Sequence, residues 1–119
     1  MGFVTVKVQI CNPEKPESCH EVELLADTGA MYSIVPADVL KKLGMRSLGK
    51  RGFVLANGEK IEREVGGALY KFGGYEGYAS VVFGVDDDKP LLGVTALEEM
   101  GLQVDPVTKQ LRPIELLLL

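Results

Sequence analysis

Leu24-Leu25-Ala26-Asp27-Thr28-Gly29-Ala30-Met31-Tyr32-Ser33-Ile34-Val35 is the stretch on which the reading of this sequence turns. An apolar run leads directly into a carboxylate, so Asp27 is expected at the end of a buried strand and partly buried itself. Thr28, Gly29 and Ala30 are small, and a glycine lets another backbone approach closely. Taken alone, Asp27-Thr28-Gly29 also reads as an ordinary strand-ending turn, where Asp-x-Gly is common.

Upstream, Val4, Val6, Val8 and Ile10 recur at every second position, and Val22, Leu24 and Ala26 alternate with Glu21 and Glu23. This is the period of half-buried strands. Residues 3–11 and 19–26 are expected to pair as a hairpin across the turn-rich stretch 12–18. Downstream, Pro36 suits a first helical turn, Val39, Leu40 and Leu43 share a face, and Gly44 is placed as a stop. A short helix over about 36–43 follows. Residues 52–65 read as a hairpin around Ala56-Asn57-Gly58-Glu59, since Asn-Gly between extended runs is a strong turn signal. A third hairpin turns at Gly73-Gly74. Asp86-Asp87-Asp88-Lys89 reads as a solvated loop and Leu91-Leu92-Gly93 as a short buried strand. Thr95 and Glu98 have capping-box spacing for a helix over about 95–100 that Gly101 ends. Val104 and Leu111 flank a last hairpin. Many short strands with two short helices make the class mainly β, a closed or nearly closed barrel. The order of parts repeats faintly: a hairpin, then Ala26-Asp27-Thr28-Gly29 and a helix; later a hairpin, then Leu91-Leu92-Gly93 and a helix.

A length of 119 residues suits one domain, 1–119. With 46% hydrophobic residues the chain can form a core, and a net charge of −4 argues against a nucleic-acid partner. No apolar run approaches the roughly 20 residues that span a bilayer, so no membrane partner is expected. The first residues lack the basic segment and apolar block of a signal peptide, and the chain reads as cytoplasmic. Cys11 and Cys19 could face one another across the first hairpin. In a cytosolic protein they are expected as two reduced thiols. Leu116 to Leu119 read either as a tail or as a strand that pairs with something.

The catalytic inventory is short. His20 is the only histidine, and it adjoins Cys19 on a strand, where successive side chains point to opposite faces; a Cys–His nucleophile is therefore excluded. There is no Gly-x-Ser-x-Gly elbow, no set of four zinc ligands and no phosphate loop. The run at 86–88 lacks the alternating ligands of a calcium loop. Neither a metal nor a cofactor is expected. Carboxylates remain. Glu21, Glu23, Glu62 and Glu64 alternate out of strands, and Asp38, Glu98 and Glu99 lie on helices, which leaves Asp27.

The segment 24–35, with Ser33 three places after Ala30, resembles the active-site segment of the retropepsin-like aspartic proteases. Leu91-Leu92-Gly93 before a helix resembles their second, apolar-apolar-Gly signature, at about the expected distance and with one hairpin between. The likeness spans roughly residues 3–114 and looks nearest the cellular, non-viral members. It implies an endopeptidase with Asp27 as catalytic carboxylate, supported by Thr28, Gly29, Ala30 and Ser33. It also implies a flap over 53–65 that meets substrate near Ala56, Asn57, Gly58 and Glu59. One Asp-Thr-Gly per chain implies a homodimer acting on a peptide or protein substrate. Viral members usually pair an Asp after the first motif with an Arg after the second; here those positions are Met31 and Val94, both apolar. Two other readings fit the same residues: a non-catalytic dimerisation or peptide-binding module, and an unrelated small barrel with an Asp-Thr-Gly turn.

Overall fold

The structure, a computed structural model, describes residues 3–118. Its elements run β1 (Phe3–Asn12), β2 (Lys15–Asp27), β3 (Ser33–Pro36), α1 (Ala37–Lys42), β4 (Gly49–Val54), β5 (Lys60–Phe72), β6 (Tyr75–Gly84), β7 (Leu91–Leu92), α2 (Val94–Met100), β8 (Leu102–Asp105) and β9 (Gln110–Pro113). The chain is mainly β with two short helices, as expected. Seven strands lie in the order β1-β2-β7-β3-β6-β5-β4, with a further β1–β5 pairing. That pairing turns six of the strands into a ring. Its joins are uneven: β7 meets β2 only at Leu25↔Leu91 and Ala26↔Leu92, and meets β3 only at Ile34↔Leu91. The barrel is accordingly pinched around β7. β8 and β9 form a separate hairpin.

The repeated order of parts becomes interlocked in space. β2, which leads into Asp27, runs parallel to β7, and β3, which leaves that loop, runs parallel to β6. The core between them holds Val8, Ile10, Leu24, Val35, Leu40, Tyr70, Val81, Phe83, Leu92, Leu97, Met100 and Leu102. α2 lies so close to β6 that a Cβ on Gly77 would come within 2.5 Å of the Glu99 backbone.

Several expectations are adjusted. The first turn is only Pro13-Glu14, and β2 begins at Lys15, because the Asn12 side chain organises the corner: its Oδ1 accepts the Glu14 N–H at 2.8 Å and its Nδ2 donates to the Leu43 carbonyl at 2.8 Å. β3 was missed by sequence periodicity because it is only four residues long and its buried side carries Ser33 and Val35, one polar and one apolar. The hairpins at 52–65 and 68–85 share one strand, β5, which pairs with β4 through its first half and with β6 through its second. α1 ends as expected: Gly44 is left-handed, with φ 74°, and its N–H and that of Met45 donate to the carbonyls of Lys41 and Leu40. The segment 114–118 is not a strand, and Leu116, Leu117 and Leu118 are exposed.

Cys11 and Cys19 are joined in a disulfide, against the expectation of reduced thiols. They are directly opposed in the β1–β2 register, so the hairpin itself brings the sulfurs together. Cys11 also pairs with Leu69 of β5, at the join that closes the ring. Replacing both cysteines by alanine is expected to lower stability by about 2–3 kcal/mol, the range for a loop this short, measured by urea denaturation. Thiol titration of the unfolded, unreduced protein should find no free thiol.

Candidate active site

Asp27 is the last residue of β2, one past the Ala26↔Leu92 pair, and is half-buried. The chain then turns: Oδ1 of Asp27 accepts the Gly29 N–H at 2.9 Å, and its main-chain carbonyl accepts the Ala30 N–H at 3.1 Å. Among the described residues the other carboxylate oxygen has no hydrogen-bond partner, and Thr28 and Gly29 are exposed beside it. One oxygen is therefore fixed by the turn, while the other is left without a partner among the described residues.

The loop that carries Asp27 is strapped to the junction of β7 and α2. Ser33 is buried, and its Oγ accepts the Gly93 N–H at 2.9 Å. The carbonyls of Ala30 and Met31 accept the N–H groups of Val94 and Thr95, at 2.7 and 3.3 Å. These are the first amides of α2, which a helix cannot satisfy internally. The capping box expected from Thr95 and Glu98 is thus not used: Gly93 occupies the cap without a side-chain bond, because the strap already takes the donors. Gly93 is required by contact. A Cβ there would lie 2.6 Å from the Tyr32 carbonyl carbon and oxygen and 2.7 Å from the Met31 carbonyl oxygen.

Tyr70, which sequence reasoning did not single out, sits behind this strap. It is fully buried, donates to the Ser80 carbonyl at 2.7 Å, and its hydroxyl also meets the Ser33 side chain. Burial pushes its pKa up, with the Ser33 contact opposing, so it remains a neutral donor. A tyrosine inside a β run carries no sequence signal for this role.

The hairpin tip is a turn in which Gly58 N–H donates to the Leu55 carbonyl at 2.9 Å and Leu55 N–H to the Glu59 carbonyl at 2.8 Å. Gly58 takes a positive φ of 88°, and Asn57 Oδ1 accepts the Glu59 N–H at 2.9 Å. Ala56, Asn57, Gly58 and Glu59 are all exposed. Residues nearer the base, Phe53, Val54, Leu55 and Ile61, instead line a groove of about 520 Å³ together with Ala30, Met31, Tyr32 and Ile34. The lining also includes an ion pair not foreseen in the acidic run. Arg63 Nε and Nη2 donate to Asp88 Oδ2 and Oδ1 at 2.7 and 2.9 Å, with side chains 19% and 14% exposed. Asp88 also accepts the Val85 N–H at 2.9 Å. The Arg63 bond is the largest cause holding the Asp88 pKa below its ordinary value; burial opposes it. Among the described residues no three His, Cys, Asp or Glu are grouped to hold a metal ion.

A family model described as aspartyl protease matches residues 6–96, a span that includes both the Asp27 loop and Gly93. No curated protein matches the chain. Among solved structures, the chain is similar to the simian foamy virus (mac) protease, at 18% identity and a TM-score of 0.54 over 79% of this chain and 91% of that one. It is also similar to the EIAV protease complexed with the inhibitor HBY-793, at 20% identity and a TM-score of 0.59 over 98% and 93%. These likenesses are of fold.

Gly93→Ala is expected to destabilise the protein by about 2–3 kcal/mol, since backbone rather than a movable side chain blocks the added methyl; thermal unfolding checks it. Asp88→Asn is expected to cost about 1–3 kcal/mol at neutral pH, between exposed and buried pairs. Because the folded-state pKa of Asp88 is lowered, its contribution is present above the ordinary carboxylate range and is lost as pH falls through the lowered value. Urea denaturation across pH should show native protein and variant converging in acid.

Proposed function

The chain belongs to the aspartyl protease family, and from that premise we propose that it cleaves peptide bonds with a water activated between two Asp27 carboxylates at a homodimer axis. The observation that carries this reading is the state of Asp27: half-buried, one oxygen held by the Gly29 amide, the other unengaged. Chemistry of this kind requires two carboxylates that share one proton, because like charges so close cannot both ionise. The ionised member takes a proton from water as the water attacks the carbonyl; the protonated member donates to the carbonyl oxygen and later to the leaving nitrogen. One Asp27 per chain supplies one member, and a two-fold axis supplies the other in an identical setting.

In this reading Thr28 bonds across the axis and Gly29 meets substrate backbone. Ala30 and Ser33 keep the loop in place, and the hairpin around Ala56–Glu59 closes over an extended peptide and excludes water. The whole chain acts as one domain. The exposed leucines 116–118 are candidates for burial between subunits. No described helix is long and apolar enough to cross a membrane. The reading as cytoplasmic meets one opposing feature, the Cys11–Cys19 bond, which an oxidising compartment favours.

Asp27→Asn should abolish cleavage of a mixed-peptide digest, a loss of at least about a thousandfold for a residue of this role, while sedimentation still finds a dimer. Native activity should be greatest at mildly acidic pH, where the pair holds a single proton. Cleavage by the variant at the native rate would refute the mechanism, and peptide binding without cleavage by the native chain would assign the fold to a binding module.

A further inference from the structure

We propose that the Cys11–Cys19 bond is a redox clasp: a dithiol that reduces it opens the β1–β5 join and loosens the loop that carries Asp27, while the rest of the fold stays in place. The structural part of this inference stands on the disulfide and its place in the sheet. Its effect on cleavage rests on Asp27 being the catalytic carboxylate.

The bond sits where two ladders end. Cys11 is the last residue of β1 in regular register with β2, which shifts between Cys11 and Asn12. It is also the last in register with β5, whose pairing with β1 consists of Gln9↔Lys71, Ile10↔Tyr70 and Cys11↔Leu69. Directly opposed strand residues share a face, and successive ones alternate. Cys19, Cys11, Leu69 and Tyr78 therefore form one row across β2, β1, β5 and β6, on the face opposite Ile10 and Tyr70. Ile10 and Tyr70 belong to the core. The row on the other side ends in the partly exposed Cys19 and the exposed Tyr78.

The surroundings let the bond open without unfolding the chain. Cys19 is partly exposed, so a reductant reaches its sulfur, whereas Cys11 is fully buried. The Pro16 carbonyl oxygen accepts a hydrogen bond from Lys71 Nζ at 3.2 Å and lies 3.2 Å from Cys19 Sγ. A positive charge thus stands near the sulfur that must depart as a thiolate. The cysteines have a sequence separation of 8, and a bond across so short a loop constrains the unfolded chain less than one across a long loop. In the exchange, a thiolate of the reductant attacks Cys19 Sγ, the S–S bond breaks toward Cys11, and Cys11 takes a proton. The second thiolate of the reductant then attacks its own sulfur in the mixed disulfide and releases Cys19, which takes the other proton. Two electrons and two protons pass to the protein, and the reductant leaves as a disulfide. The bond ties the end of β1 to β2, and an untied strand end frays. Fraying here parts β1 from β5 next to Ile10↔Tyr70. Tyr70 donates to the Ser80 carbonyl and meets Ser33, and Ser33 accepts the Gly93 amide beneath the Asp27 loop. Loosening at the join therefore reaches the strap.

The test compares oxidised protein with protein reduced by dithiothreitol, the thiols being counted by alkylation and mass spectrometry. On reduction, amide hydrogen exchange is expected to quicken at least about tenfold in residues 9–11 and 69–71 and in the loop 27–35. The hairpin of β8 and β9 should exchange unchanged, and circular dichroism should keep its β signature. Peptide cleavage should fall by about tenfold or more, since a small misplacement of reacting groups is costly, and should return when oxidised glutathione restores the bond. Cys11→Ala with Cys19→Ala should match the reduced state and lose all response to dithiothreitol; if that variant does not fold, the reduced native protein decides alone. Unchanged exchange at the join or the loop overturns the proposal. So does a bond that opens only in denaturant, global unfolding on reduction, or equal cleavage by the two states of an active protein. Loosening of join and loop in a protein that cleaves nothing in either state would uphold the clasp and defeat the reading of Asp27 instead.

Discussion

The backbone of Met31 and Tyr32 lies so close to Gly93 that no side chain fits between them, and most of the site's geometry depends on that contact. It brings the Ser33 hydroxyl onto the Gly93 amide and the carbonyls of Ala30 and Met31 onto the first amides of α2. The loop that begins at Asp27 is thus fixed from beneath by main-chain groups of the other half of the fold. Each of those groups would otherwise be a buried or helix-terminal donor or acceptor without a partner, which costs free energy comparable to a lost hydrogen bond. The strap satisfies them and orients the carboxylate in one step. Tyr70 extends it inward, joining Ser33 to the Ser80 carbonyl of β6.

Local chemistry made much of this visible in the sequence. The hairpins announced themselves by alternation and by Asn57-Gly58 and Gly73-Gly74, the helix ends by Gly44 and Gly101, and the site by an apolar run ending in Asp27-Thr28-Gly29. What stayed hidden was long-range, apart from β3. That strand is only Ser33-Ile34-Val35-Pro36, too short to show a period, and its buried face begins with the polar Ser33. The Arg63–Asp88 pair joins residues 25 apart, so Asp88 looked like one more solvated acid. Tyr70 looked like an ordinary strand residue. The capping box was misread for the same reason: Thr95 and Glu98 have the right spacing, but Ala30 and Met31, far away in sequence, already accept the amides it would have served. The thiols were misjudged by arguing from compartment rather than from the register that sets Cys11 opposite Cys19.

In the proposed mechanism one carboxylate in one chain is half of an acid–base pair, and the surfaces around Asp27 accord with half a cleft. Asp27 keeps one oxygen unengaged beside exposed Thr28 and Gly29, while Met31, Val54 and Leu55 present apolar surface that the described residues do not cover. A second copy and an extended peptide between the two flaps would use all of these features, the carboxylate by proton sharing and the apolar side chains by burial.

The apolar pair Met31 and Val94 then gains a physical meaning. Viral members of the resembled family usually carry an Asp–Arg pair at the corresponding positions. Such a pair weakens in acid, as Asp88 and Arg63 must here when Asp88 protonates. In this chain Val94 instead donates its amide to the Ala30 carbonyl at 2.7 Å, and neither main-chain partner titrates. A site whose two carboxylates work with one shared proton operates where carboxylates begin to protonate. The amide–carbonyl bonds that hold the Asp27 loop carry no titratable group, whereas the half-buried Arg63–Asp88 pair in the groove lining does.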